Sequence, residues 1–150
     1  MAQYEFTEAP GGVGLEVIGA DRAEVINAAA TALCLFHWDQ QTVRAERSLP
    51  VAWYGFNTKT AIMGLLSELL FRAEVEQWVF QRFVVESVEE VDERDEELRR
   101  KQVRISGTVY GEPFDAARHR LRFPIQAVLL EGLRYRERPD RVMFRCVLDA

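Results

Sequence analysis

At 150 residues, 48% apolar and with nine phenylalanines, the chain can bury the core of one domain spanning residues 1–150, which excludes a disordered tail. A net charge of -5 and a pI near 5.2 argue against avid, non-specific nucleic-acid binding by the chain as a whole. The opening Met-Ala-Gln-Tyr-Glu-Phe shows no signal region and no apolar run reaches the roughly 20 residues of a membrane span, so a cytoplasmic protein without membrane contact is expected.

Tyr4 and Phe6 alternate with polar residues, Pro10-Gly11-Gly12 breaks the pattern, and Val13–Ile18 resumes it. That predicts two short strands around a turn. Asp21 is placed as an N-cap with Glu24 as its capping-box partner, starting a helix from Arg22 to about Phe36. His37 at its end reads as a capping or surface residue. Alternation from Thr42 to Leu49 predicts a strand, and Pro50 marks an edge, bulge or turn before the extended run Val51–Gly55. Asn57-Thr58-Lys59-Thr60 supplies caps for a second helix whose buried stripe is Ile62, Leu65, Leu66, Leu69 and Leu70. Gly64 within it costs about 1 kcal/mol relative to alanine, to be offset by close packing. Glu68 borders that stripe as the helix's informative carboxylate.

Val79–Val85 is a strand that runs into the charged segment Glu86–Lys101, read as a solvated hairpin extension. Val103–Tyr110 is a strand, Tyr110–Asp115 a loop, and Arg122–Leu130 a further strand continued by Leu133–Arg136. Glu137–Asp140 turns the chain into a final strand, Val142–Leu148. Arg134, Arg136, Arg138, Arg141 and Arg145 give this last hairpin a local positive excess, a place to meet RNA or an acidic partner. The elements together predict an α+β fold: a single two-layer domain, with two helices packed on a mostly antiparallel β-sheet.

Few chemical motifs survive inspection. Gly11-Gly12-Val13-Gly14 lacks the following helix and the Lys-Ser/Thr pair of a phosphate loop. The acidic run after Glu86 lacks the spacing and glycine of a calcium-binding EF-hand. Cys34 and Cys146 form no CxxC pair and read as buried thiols. With two histidines and no Ser/His/Asp arrangement, hydrolase or transferase chemistry has no obvious carrier.

In order along the chain stand Tyr4-Glu5-Phe6, Ser67-Glu68-Leu69-Leu70-Phe71, Gly111-Glu112-Pro113-Phe114-Asp115 with Arg118-His119, Gln126-Ala127-Val128, and Val147-Leu148-Asp149-Ala150. In these segments and their spacing the chain resembles the archease family over nearly its whole length. The resemblance implies a compact domain of two helices against β-sheet. It also implies an accessory protein that promotes guanylylation and turnover of a metal-dependent RNA ligase in tRNA splicing or RNA repair. RNA itself would then be met indirectly, through that ligase or a related RNA-processing protein.

The family's N-terminal motif Asp-His-Thr-Ala-Asp reads Glu8-Ala9-Pro10-Gly11-Gly12 here, and its Lys-Ala-Val/Ile-Thr-Tyr-His segment reads Gln126-Ala127-Val128-Leu129-Leu130-Glu131. Ala9 and Gly12 offer no hard oxygen to calcium or magnesium. Two readings stay open: Asp149, the carboxylate of Ala150, Glu8 and Glu131 rebuild a divalent-metal site, or the metal site has decayed and no cofactor is held. Glu68, Asp115, Gln126, Arg134 and Arg136 are the candidates for partner contact. Two other functions stand beside the accessory role. One is a scaffold or oligomerising module, with exposed members of Trp53, Tyr54, Phe56 and Trp78 as contacts. The other is a metal-dependent phosphoryl-transfer enzyme using Asp149 and Asp115.

Overall fold

The computed structural model describes residues 2–95 and 98–150, without the side chains of 93–100. A hairpin comes first: β1 (Gln3–Ala9) pairs with β2 (Gly12–Gly19), from Gln3 opposite Ile18 to Ala9 opposite Gly12. Helix α1 (Arg22–His37) follows, then a 3-10 turn (Gln40–Thr42), β3 (Arg47–Gly55) and helix α2 (Thr58–Val75). Four strands complete the chain: β4 (Trp78–Asp95), β5 (Leu98–Pro113), β6 (Ala127–Arg138) and β7 (Arg141–Asp149). All described pairings are antiparallel, and they divide the strands between two sheets, β1-β2-β7-β6 and β3-β5-β4.

Each helix bridges the sheets. Helix α1 lies on β4 and β2, and α2 on β3 and β6. Their buried stripes (Val25, Ile26, Ala29, Ala30 and Leu33; Ile62, Leu65, Leu66 and Leu69) meet Phe80, Phe83, Ile105 and Phe144 in one continuous core. Each fully buried leucine, isoleucine or phenylalanine contributes about 1.5–3 kcal/mol. The predicted α+β domain of two helices on antiparallel β-structure is thus the fold observed.

The helix starts follow their caps. Asp21 accepts from Glu24 N at 2.9 Å, but Glu24 returns its carboxylate to Ala20 N (2.8 Å), one residue earlier than the predicted box. Asn57 and Thr60 form the reciprocal box of α2. Gly64 is explained by contact, because a Cβ there would lie 1.9 Å from Trp53 Nε1. Pro50 does lie on an edge strand, β3, opposite Thr108.

Several expected boundaries move. Residues 43–46 are irregular and β3 begins at Arg47, because the 3-10 turn consumes the start of the alternating run. The predicted strand over 122–126 is irregular, and β6 starts at Ala127. Pro124 cannot donate to a ladder, and this segment instead binds the end of α1, with Arg122 N to His37 O (2.9 Å) and Phe123 N to Phe36 O (3.1 Å). Conversely β5 runs through Pro113, so Tyr110–Glu112 belong to a strand and the loop starts at Phe114. The charged segment pairs as a long β4–β5 hairpin over its described residues; Glu96 and Glu97 lie outside them.

Candidate functional site

The carboxylates expected at the strand ends fall on different faces. Glu8 is opposite Val13, and Val13 opposite the buried Leu148. Since side chains alternate along a strand, Glu8 shares the helix-facing side with Leu148, and Asp149 takes the other. Glu131 is on the same side as Asp149, lining a groove of about 330 Å³ with Ala9, Pro10, Arg134 and Arg145. Gly12 is the position next to Asp149, where a Cβ would come within 1.9 Å of Leu148 O and 3.4 Å of Asp149 Cα. No set of three or more His, Cys, Asp or Glu is disposed to hold a metal ion among the described residues. Of the expected donors, Glu8 thus lies across the sheet from Asp149 and Glu131.

A buried polar cluster is built on Glu112, near the end of β5 and only 3% exposed. Its Oε2 accepts from Arg44 N at 2.5 Å, and its Oε1 pairs with Arg118 and lies 3.0 Å from His119 Nε2. Asp115 N donates to His119 Nδ1 (2.8 Å), so the neutral ring carries its proton on Nε2. Burial and then Arg118 hold the His119 pKa below the usual histidine value, while Asp115 acts the other way. Asp115 organises the turn itself: its carboxylate accepts from Ala117 N, and its carbonyl from Arg118 N and His119 N. The distinctive Gly111–Asp115 and Arg118-His119 segments thus form a clamp. It fastens the 114–126 segment across the end of α1, where Asp39 N donates to Arg120 O (2.9 Å) and Trp38 bridges Leu121.

That clamp shapes a groove of about 720 Å³ between α2 and the 114–126 segment. Phe71, Phe114 and Leu121 stand on it, 59%, 45% and 53% exposed, and the exposed Gln126 also lines it. Its far end is fixed by Gln77, in the left-handed region at φ +56°, whose carbonyl accepts from Phe114 N (2.7 Å). His37 also lines the groove and is neither a plain cap nor a surface group. Its Nδ1 accepts from Ile125 N (2.9 Å), and burial pushes its pKa down to about 4.

Of the other partner-contact candidates, Glu68 is ion-paired with Arg72 (2.9 Å), which reaches Pro50 O on β3. Asp115 is engaged within its turn. Arg134 and Arg136 are exposed on the outer face of the four-stranded sheet. Sequence reasoning quoted Glu112 and His119 without giving them a role; the signal was a carboxylate closing an apolar strand, seven residues before a histidine. The exposure of Phe71 and Leu121 had no sequence signal, since both sit in apolar patterns.

The model of the Archease protein family (MTH1598/TM1083) matches residues 4–150. The chain belongs to the archease family. It is 24% identical over 150 residues to Protein archease of Pyrococcus furiosus and 22% identical over 149 residues to that of Sulfurisphaera tokodaii, with 99% of both chains covered in each case. Its fold is also that of Methanobacterium thermoautotrophicum protein 1598, a solution structure superposing with a TM-score of 0.75 at 22% identity and covering 98% of each chain. Membership in the archease family supports a general accessory, cofactor-type role.

Proposed function

We propose that this protein is an accessory factor for a metal-dependent RNA ligase. On this reading it promotes guanylylation and repeated turnover of the ligase in tRNA splicing or RNA repair, and holds no divalent metal of its own. The observation that carries the reading is the family match over residues 4–150. The placement of Glu8 across the sheet from Asp149 and Glu131 supports the loss of the metal. The groove edged by Phe71, Phe114 and Leu121, and lined also by Gln126, is the surface offered to the ligase. On this reading the protein works in the cytoplasm, where its two free, buried thiols, Cys34 and Cys146, suit a reducing compartment.

The test is the accumulation of covalently guanylylated ligase with GTP and divalent metal, with and without this protein. Faster guanylylation, lost in Phe71→Asp, supports the proposal. No change, with the ligase competent alone or with another archease, overturns it.

A further inference from the structure

The outer face of the four-stranded sheet carries five arginines on one hairpin. Arg134 is directly opposite Arg145, and Arg138 directly opposite Arg141. Arg136 lies between them, opposite Met143. Like charges placed directly across a ladder destabilise a sheet, and this hairpin has two such pairs. None of the five arginines forms an ion pair with a carboxylate among the described residues. Nearby acids are Glu16 on β2, directly opposite Arg145 and in a groove with Arg136, Arg138 and Arg141, Glu131, beside Arg134 and Arg145, and Asp149 at the end of β7. Glu5 lies one strand beyond Glu16, and Asp140 in the hairpin turn.

Every cation is an arginine, whose planar fork matches a phosphate with two parallel hydrogen bonds. Alternate residues of β6 are about 6.8 Å apart and the strands about 4.8 Å apart, so the guanidiniums form a two-row ladder. Apolar neighbours on that face are Ile18, Leu129, Met143 and Val147, with no aromatic ring among the described residues, so it has no stacking platform for bases.

We propose that this face holds the phosphodiester backbone of single-stranded RNA, without reading its sequence. The bound phosphates would relieve the two arginine pairs. The choice of RNA among nucleic acids rests on the function proposed above.

The test is fluorescence anisotropy with a labelled single-stranded RNA of about 20 nucleotides, titrated between about 50 and 200 mM salt. Three to five phosphate contacts predict a log–log salt slope of about -2 to -3.5. The variant Arg134→Ala/Arg136→Ala/Arg145→Ala should weaken binding at least tenfold at the low-salt end, whereas the control Lys59→Ala/Arg120→Ala should not. Arg134→Glu should raise the thermal midpoint while lowering RNA affinity, a combination that a merely structural arginine does not give. Three results would overturn the proposal: no binding by the folded wild-type protein at low salt, unchanged binding by the triple variant, or stronger binding of a polyglutamate peptide than of RNA. The assay contains no ligase, so its failure is separate from failure of the accessory role.

Discussion

Oε1 of Glu112 lies 3.0 Å from Nε2 of His119, although seven residues and a change from strand to loop separate them. The same carboxylate takes Arg44 N on its other oxygen. One buried side chain thus ties β5, the 43–46 segment and the 114–120 turn together. Removing one partner of a buried polar set costs more than the net value of a hydrogen bond, because the remaining groups stay desolvated.

Glu112→Gln keeps the shape but surrenders the charge facing Arg118. It should cost about 1–3 kcal/mol, read as a lower denaturant midpoint at unchanged slope. An unchanged midpoint would show that the clamp is not structural.

Acid should loosen the groove through His37. Its folded pKa is about 4 against an ordinary value of 6.5, so between those limits the unfolded chain binds a proton that the folded chain refuses. Stability is therefore fully present above pH 6.5 and declines as pH falls toward 4. The decline is at most about 3 kcal/mol, reduced by solvent screening of a ring that is only partly buried. Protonation also removes the acceptor for Ile125 N, so that amide should lose exchange protection in the same window, and His37→Gln should reduce the dependence, leaving the smaller part that His119 contributes with the same sign.

Gln77 holds a left-handed conformation immediately after the C-cap of α2, a place where glycine is the usual residue. Gln77→Gly should release about 1 kcal/mol of backbone strain, less the loss of the side-chain bond to Glu74 O (2.6 Å). A calorimetric midpoint equal to or above that of wild type is expected, and Gln77→Val should fall below both.

Burial pushes the thiols of Cys34 and Cys146 up to about 12, so neither supplies thiolate at neutral pH. Both should resist a thiol-reactive dye in native buffer and react stoichiometrically in denaturant.

Where local chemistry decides the outcome, the fold was readable from sequence. Asp21 and Asn57 start the two helices, and the alternation of Val142, Phe144, Cys146 and Leu148 defines the last strand. The division into two sheets was hidden, because it depends on long-range pairing of β2 with β7 and β3 with β5. The 122–126 segment misled because its apolar residues cover the end of α1 instead of entering a ladder. Glu8, Glu131 and Asp149 looked like one set because motif order brings strand ends together, but side-chain alternation puts Glu8 across the sheet from the other two. Glu112 needed the structure, since nothing in a Gly-Glu-Pro triplet tells whether the carboxylate faces water or a guanidinium.

The most direct measurement is multiple-turnover RNA ligation by the source organism's own RNA ligase, with GTP and divalent metal. It compares reactions without this protein, with it, and with its Asp149→Asn variant. An accessory factor that holds no metal predicts that turnover rises with the wild-type protein and rises equally with Asp149→Asn. No rise would contradict the accessory role, and a rise abolished in Asp149→Asn would show that the strand-end carboxylate still holds a working site.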